Sequence, residues 1–194
     1  MSFLATVPLS KCYRLLNHGP TVLITSAHQN TQNVMAASWI TPLDFDPPKI
    51  IIVVDKSART RKLIEASGQF AINIPCVAQA NQVLLAGSSE GEGGEGKTDK
   101  LARCQFSSFA AQKITAPLIT GCVGFLECQL IPEAYTQNTY DIFIGEVLAA
   151  QADDSVFKDG RWDFAKHDNK RTLHHVAGGH FLSIGKPCEA EITG

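Results

Sequence analysis

The strongest constraint on the fold is a short apolar run, Ile50–Val54, within KIIIVVD (49–55). Its five residues are all β-branched, with Pro47 and Pro48 before them and the polar segment DKSART after them. Such a run is typical of a strand buried on both faces, and it is far shorter than the roughly 20 residues that cross a bilayer. We therefore expect a protein built around a sheet, with no membrane span.

The remaining segments predict more strands and two short helices. TVLITS (21–26) and NVMAASWIT (33–41) are predicted as the two strands of a hairpin, and QFAINIP (69–75) as a further strand. Residues 122–131 and 140–150 are predicted as a second hairpin, with a turn around YTQNT. FKDGRW (157–162) contains a DG turn, and the last ordered stretch is predicted at 173–185. The helices are 58–67, with Ser57 as N-cap and Gly68 as C-cap, and 77–86. Few strands are separated by long helices. The pattern therefore favours a mainly β fold, a β-barrel with short helices, in a single domain spanning residues 1–194.

The charge composition restricts the kinds of molecule that the chain is expected to bind. The chain has 17 Lys+Arg against 19 Asp+Glu, a net charge of −2, and no basic run of five or more residues. This argues against electrostatic binding of nucleic acid or anionic lipid and favours a small molecule or another protein. No secretory signal pattern is present at the N-terminus, and the six cysteines are dispersed without a CxxC motif. We expect reduced thiols and a cytoplasmic location.

Several common catalytic patterns are missing from the sequence. It contains no HExxH, no GxSxG elbow between a strand and a helix, and no P-loop in a strand–helix context. His174 and His175 would point to opposite faces of a strand, which disfavours a shared metal ion. We predict no metal site and assign no catalytic side chain. The segment GSSEGEGGEGKTDK (87–100) is acidic and glycine-rich, and predicts an exposed, mobile loop.

The segment DKSART (55–60) is the first candidate binding site. A buried strand ends there, and a loop with two cations and two hydroxyls leads directly into a helix N-terminus. Unpaired N–H groups and the helix dipole at such a position favour an anion such as phosphate. The alternative is a capped helix whose basic residues are merely solvated. Just upstream, Ala36, Ala37 and Ser38 are small enough for a flat ligand to approach the backbone of their strand.

Four motifs, in this order, give the chain a family resemblance. NVMAASWITPLDFDPP (33–48), DKSARTRKLI (55–64), FAINIP (70–75) and FIGEV (143–147) resemble the flavin reductase-like family of FMN-binding split barrels, in particular its flavoredoxin-like branch. The resemblance covers most of residues 8–185. It implies a homodimeric split β-barrel in which FMN lies near the subunit interface.

The resemblance also implies which residues bind FMN. Asn33 and the strand from Met35 to Thr41 would lie against the isoalloxazine, and other residues would hold the ribityl phosphate, support the strand or contact the ring. The full set is Asn33, Met35, Ala36, Ala37, Ser38, Trp39, Ile40, Thr41, Lys56, Ser57, Arg59, Thr60, Asn73, Lys97, Lys100 and Phe181. Lys100 and Lys97 are rivals for one lysine near the flavin. The chain departs from the family at Tyr140, where relatives commonly carry His.

The implied activity is an NAD(P)H-dependent flavin oxidoreductase. NADH or NADPH would reduce bound FMN, which would pass electrons to a flavin or another acceptor. A cation such as Lys100 or Lys97 would stabilise the negative charge of the reduced ring. Two alternatives stay open: a flavoredoxin-like electron-transfer protein reduced by a protein donor, and an FMN-binding module without turnover.

Overall fold

The described structure is a computed structural model covering residues 4–10, 12, 20–88 and 99–191. Its strands are β1 Leu4–Thr6, β2 Val22–His28, β3 Thr31–Ala37, β4 Ile40–Phe45, β5 Pro48–Val53, β6 Gln69–Ile74, β7 Ser108–Phe109, β8 Leu118–Ile119, β9 Gly124–Ile131, β10 Ile142–Asp153, β11 Phe157–Lys158, β12 Arg161–Trp162, β13 Leu173–Ala177 and β14 His180–Ser183. Its helices are α1 Arg59–Ser67, α2 Ala80–Ala86, α3 Lys100–Arg103 and α4 Ala134–Tyr140, with 3₁₀ turns at Val77–Gln79 and Asp168–Lys170. The prediction of a mainly β fold is confirmed. No helix in the described ranges is long and apolar enough to span a bilayer.

One antiparallel sheet organises the chain. Its strand order is β3-β2-β6-β9-β10-β5-β4, and β1 pairs with the C-terminal part of β10. The strands at the two ends of this order, β3 and β4, are consecutive in the chain and are joined only by Ser38 and Trp39. The sheet must therefore curve so that its two end strands meet at this link.

Side chains on the two faces of the sheet enter two separate hydrophobic clusters. Ile24, Ile72 and Phe143 belong to one cluster, whereas Leu23 and Ala71, their neighbours along the strands, belong to the other. The first lies within the curve of the sheet, and the second packs against α2 and α3 through residues such as Val83 and Leu101. This alternation follows from the two-residue period of a strand.

Three local predictions are corrected. The strand predicted for 33–41 is interrupted at Ser38 and Trp39, so Trp39 and Thr41 do not continue the face of Asn33. The turn predicted around YTQNT is the helix α4, which ends at Asp141 in the left-handed conformation (φ 57°). Its residues carry no apolar stripe that would have indicated a helix. The third correction concerns the N-cap of α1.

The N-cap of α1 is Ala58 rather than Ser57, and it makes no side-chain capping bond. Ser57 is turned away because its N–H and its hydroxyl both donate to Asp55 Oδ1, at 2.8 and 2.5 Å. At the other end of the helix, Gly68 is the C-cap as predicted, with φ 70° and an N–H···O bond to Ile64 of 2.8 Å.

Candidate functional site

The candidate site lies along the outer edge of β3. Within the described residues, β3 pairs with β2 alone, so its other edge is open. The helix α1 packs on β3, as do α2 and α3. Backbone N–H and C=O groups along an open strand edge remain available to a ligand.

A buried hydrogen bond joins β3 to the start of α1. The Asn33 amide Nδ2 donates to Thr60 Oγ1 at 2.8 Å, and both side chains are almost fully buried. These two residues, which the family resemblance implies belong to one cofactor site, therefore touch each other. The bond fixes the first turn of α1 against the middle of β3.

The loop between β5 and α1 presents exposed cations beside this edge. Lys56, Ser57 and Arg59 are all exposed. Hydrogen bonds from the Ser57 hydroxyl and then from its N–H lower the pKa of the Asp55 carboxyl, which is therefore ionised near neutral pH. Because Ala58 supplies no side-chain cap, the N–H groups of the first turn of α1 are left without that acceptor. An anion at this turn would face these groups and two cations, but would compete with Asp55 for Ser57.

A cavity of about 380 Å³ opens at the C-terminal end of β3. Four of the predicted cofactor residues, Ala36, Ala37, Ser38 and Phe181, line it together. The remaining lining residues are Thr21, Val83, Leu84, Gly87, Ser88, His175 and Gly178. The wall is largely apolar with a few hydroxyls, and its volume lies in the range of small-molecule sites.

Lys100, one of the two rival lysines, lies in α3 and is only 4% exposed. The Asp99 side chain caps this helix by accepting N–H bonds from Leu101 and Ala102. Because α3 packs on β3, the buried Lys100 lies on a helix next to the strand that carries Asn33. Its rival, Lys97, lies outside the described residues.

The other predicted residues occupy varied positions. Met35 and Ile40 are half-buried against the first cluster, and the Thr41 hydroxyl donates to the carbonyl of Pro42 at 3.3 Å. Trp39 is 73% exposed.

Asn73 lies in β6, one strand beyond β2: its amide donates to Leu23 O and Thr25 Oγ1 and accepts from Ile119 N. Asn73 thus supports β2, the strand with which β3 pairs, and makes no side-chain hydrogen bond to β3 itself within the described residues.

Sequence reasoning did not assign His175 or Arg61. His175 reaches the cavity because its N–H donates to Thr21 Oγ1 at 2.7 Å, which fastens the β13–β14 hairpin to the start of β2. A bond between residues so distant in sequence leaves no local signal. Arg61 was one cation among several in RTRK, and nothing in that pattern separates a buried arginine from its solvated neighbours.

The profile of the "Flavin reductase like domain" matches residues 14–172. The chain belongs to this family. It is 43% identical to the uncharacterized protein YddH of Escherichia coli K12, over 96% of this chain and 97% of that one. The crystal structure of an FMN-binding domain of a flavin reductases-like enzyme from Shewanella baltica is similar, with a TM-score of 0.92, 44% identity and 98% of both chains covered.

Two more distant family comparisons carry functional names. The flavoredoxin of Methanosarcina acetivorans superposes with a TM-score of 0.73 at 25% identity, covering 89% of this chain and 88% of that one. The FMN reductase (NADH) RutF of Stutzerimonas stutzeri is 25% identical over 69% of this chain and 71% of its own. The resemblance to flavin reductase-like proteins, flavoredoxins included, is thus confirmed.

Proposed function

We propose that this protein binds FMN along the open edge of β3 and catalyses oxidation of NADH or NADPH through it. The observation that carries the proposal is the convergence on that edge of the Asn33–Thr60 bond, the start of α1 and the apolar cavity. Similarity to an FMN-binding domain at 44% identity supports the choice of cofactor.

The residues present suit both ends of FMN. The phosphate would be held by Lys56, Ser57, Arg59 and the first turn of α1, where two cations and a helix N-terminus without a side-chain cap favour an anion. The ring would lie on the backbone of Ala36 to Ile40, with part of it in the cavity beside Phe181 and with Trp39 at its margin. Small side chains at Ala36 and Ala37 allow that approach.

When bound, FMN supplies the capacity to take two electrons and a proton from a dihydronicotinamide and to deliver them to an acceptor. The protein binds the ring, leaves one face accessible and places the buried Lys100 charge beside β3. That cation favours the state of the ring with more negative charge, and so raises the reduction potential. No proton-transferring side chain is required. The acceptor is a free flavin or a redox protein.

A flavoredoxin-like role is the second candidate, since a flavoredoxin shares the fold at a TM-score of 0.73. In that role a reduced protein, rather than a nicotinamide, supplies the electrons. The name of the relative RutF, an FMN reductase (NADH), favours the first candidate. A third reading, an FMN-binding module without turnover, predicts no reduction by either donor.

We also propose a homodimer, for which β4 offers a surface. Alternate residues of this strand, Thr41, Leu43 and Phe45, are exposed, and two of the three are large and apolar. Because β4 is an end strand of the sheet, this face is accessible to a second copy. We further propose a cytoplasmic location, in which the six cysteines stay as free thiols.

Anaerobic mixing tests the donor. The FMN-loaded protein is mixed with NADH, and separately with NADPH, while the visible flavin absorbance is followed. We expect rapid bleaching with at least one nucleotide. Slow bleaching with both, combined with rapid bleaching by a reduced ferredoxin, would replace the oxidoreductase with the electron-transfer role. No bleaching by any of these would favour the binding module.

A further inference from the structure

His175 is a wall residue of the cavity at the end of β3, and the proposed function does not use it. It lies on β13 directly opposite Phe181 on β14, and the two ring centroids are 5.3 Å apart. Both side chains line the cavity, together with the end of β3 and the C-terminal part of α2. His175 is therefore adjacent to any ring that enters the cavity beside Phe181.

The Thr21 side chain and backbone hold His175 against the sheet. Thr21 N donates to Leu173 O at 2.7 Å, and His175 N donates to Thr21 Oγ1 at 2.7 Å. The same Thr21 hydroxyl lies 3.4 Å from Ser38 Oγ, just beyond the end of β3. The position of His175 is thus fixed relative to the strand on which we propose that the flavin ring lies.

One contact determines which nitrogen of the His175 imidazole is available. Nε2 lies 3.0 Å from the carbonyl oxygen of Gly178. A carbonyl oxygen only accepts, so Nε2 carries the hydrogen of this bond, and in the neutral imidazole Nδ1 keeps a lone pair. Nδ1 makes no hydrogen bond to another residue in the described ranges. It is therefore an acceptor that a ligand in the cavity can use.

The charges around His175 favour a neutral ligand. None of the other described lining residues is charged or titratable, and neither β3 nor α2 contains a charged residue. On the hairpin, His174 points to the opposite face of β13, and His180 is exposed at the start of β14. Lys100 is buried on α3, which packs on β3, and does not line the cavity. An ion would find no charged partner in this wall.

The reducing ring of a dinucleotide donor has the matching chemistry. A dihydronicotinamide is a small uncharged ring with one polar substituent, a carboxamide, whose nitrogen donates and whose oxygen accepts. Val83, Leu84 and Phe181 offer the ring an apolar wall, and Nδ1 offers the amide nitrogen an acceptor. The flavin has the backbone N–H and C=O groups at the open edge of β3 for its own polar atoms. The two rings therefore do not compete for His175.

We propose that His175 recognises the carboxamide of the nicotinamide donor, with Nδ1 accepting a hydrogen bond from the amide nitrogen. This inference rests on the proposed function, because it assigns a residue to the donor named there. The bond orients the nicotinamide beside the flavin ring and selects an amide over a group of similar shape that lacks an N–H. His175 transfers neither a proton nor an electron, so its effect is on donor binding and specificity.

The kinetic test compares the preferred donor, NADH or NADPH, with its reduced acetylpyridine analogue, in which a methyl ketone replaces the amide. In the full-length, FMN-loaded His175→Leu variant, we expect kcat/KM for the natural donor to fall about three- to tenfold, the effect of one neutral hydrogen bond. We expect kcat/KM for the analogue to equal that of the wild type. Equal losses with both donors, or no loss with either, would overturn the inference.

Two conservative variants distinguish the two ring nitrogens. Asn carries its amide oxygen at the position of Nδ1, so His175→Asn keeps an acceptor there and should restore the preference for the carboxamide. Gln carries its amide at the position of Nε2, so His175→Gln keeps the donor to Gly178 O and should behave like the Leu variant. His174→Leu, on the opposite face of β13, should match the wild type. The reverse pattern for Asn and Gln, or equal values for the two, would overturn the role of Nδ1.

Binding of the unreactive tetrahydro form of the donor, which keeps the carboxamide, separates this inference from the proposed function. Perturbation of the flavin absorbance reports binding without electron transfer. We expect about three- to tenfold weaker binding to His175→Leu than to the wild type or His174→Leu. A protein that the donor reduces, but whose binding of the tetrahydro form does not depend on His175, overturns this inference alone. A protein that neither nucleotide reduces, yet whose binding depends on His175, overturns the proposed activity and retains the recognition site. Absence of both reduction and binding overturns both proposals.

Discussion

Asn33 Nδ2 donates to Thr60 Oγ1 at 2.8 Å in a buried position, so the middle of β3 and the first turn of α1 form one unit. Replacing Thr60 by Val keeps the shape and removes the acceptor, which leaves a buried amide donor unsatisfied. We expect the free energy of unfolding to fall by about 1–3 kcal/mol, measured by urea denaturation, and FMN to be retained less well. Thr60→Ser keeps the hydroxyl and serves as the control. A Val variant as stable as the Ser variant would show that the bond contributes nothing.

The phosphate assignment is tested at exposed positions, where folding is little affected. The variant Lys56→Ala/Ser57→Ala/Arg59→Ala removes two cations and a hydroxyl from the loop and the start of α1. We expect at least about tenfold weaker FMN binding, measured by fluorescence titration, since hydrogen bonds to charged groups each contribute about 1.5–3 kcal/mol. Lys166→Ala, at another exposed lysine, should change nothing. Stoichiometric flavin after dialysis of the triple variant would show that the phosphate lies elsewhere.

Lys100 is expected to set the reduction potential. Its buried charge lies in α3, which packs on β3, whereas Arg103 on the same helix is exposed. Lys100→Met should therefore lower the midpoint potential more than Arg103→Met or Lys97→Met does. The shift is about 30 mV for each tenfold change in relative affinity for reduced and oxidised flavin. Equal shifts in all three variants, in spectroelectrochemical titration, would remove the role assigned to Lys100.

Acid stability should depend on Asp153. Burial raises the pKa of this carboxyl, but hydrogen bonds from Lys170 and Ser155 outweigh burial and hold it below its usual value of 3.8. The ionised form is therefore the stabilising one, and its contribution is lost as the pH falls through that lowered pKa. Asp153→Asn should cost about 2 kcal/mol at pH 7, and its deficit should shrink below about pH 4.

Urea unfolding of the wild type and Asp153→Asn at pH 7 and pH 3 makes that comparison. A deficit that is the same at both values would show that the charge of Asp153 does not stabilise the fold. Asp159→Asn, at an exposed aspartate in the β11–β12 turn, is the control for a change of net charge.

The proposed dimer predicts a change of mass. Leu43→Asp/Phe45→Asp places two like charges on the exposed face of β4, which disfavours burial against a second copy. Light scattering after size-exclusion chromatography should give a dimer for the wild type and a monomer for this variant. Leu182→Asp, at another exposed apolar residue, should remain dimeric. A dimeric β4 variant would place the interface on a different surface.

The strands were predictable from sequence because β-branched runs and turn residues are local signals. KIIIVVD became β5, and the DG turn of FKDGRW became the β11–β12 hairpin, with Asp159 and Gly160 at positive φ. The helix α4 was missed because its residues, AYTQNTY, have no apolar periodicity. It is held by the Arg61 contacts with Asp141 and Gln137, which come from a segment distant in sequence.

Some features of the candidate site could also be predicted from the sequence, whereas those that depend on contacts between distant segments could not. The resemblance implied one site for Asn33, Thr60, Ala36 and Phe181; in the structure Asn33 bonds Thr60, and Ala36 and Phe181 line one cavity. Ser57 was wrongly predicted as the N-cap because Asp55, two residues earlier, takes both of its donors. His175 could not be anticipated, since its position depends on a hydrogen bond with Thr21.

The most direct test of the central claim, FMN at the edge of β3, is the visible absorption spectrum of the protein titrated with FMN and then gel-filtered. The account predicts a stoichiometric, retained flavin spectrum for the wild type, and loss of that spectrum from the Lys56→Ala/Ser57→Ala/Arg59→Ala variant. A wild-type protein that leaves the column without flavin absorbance would contradict it.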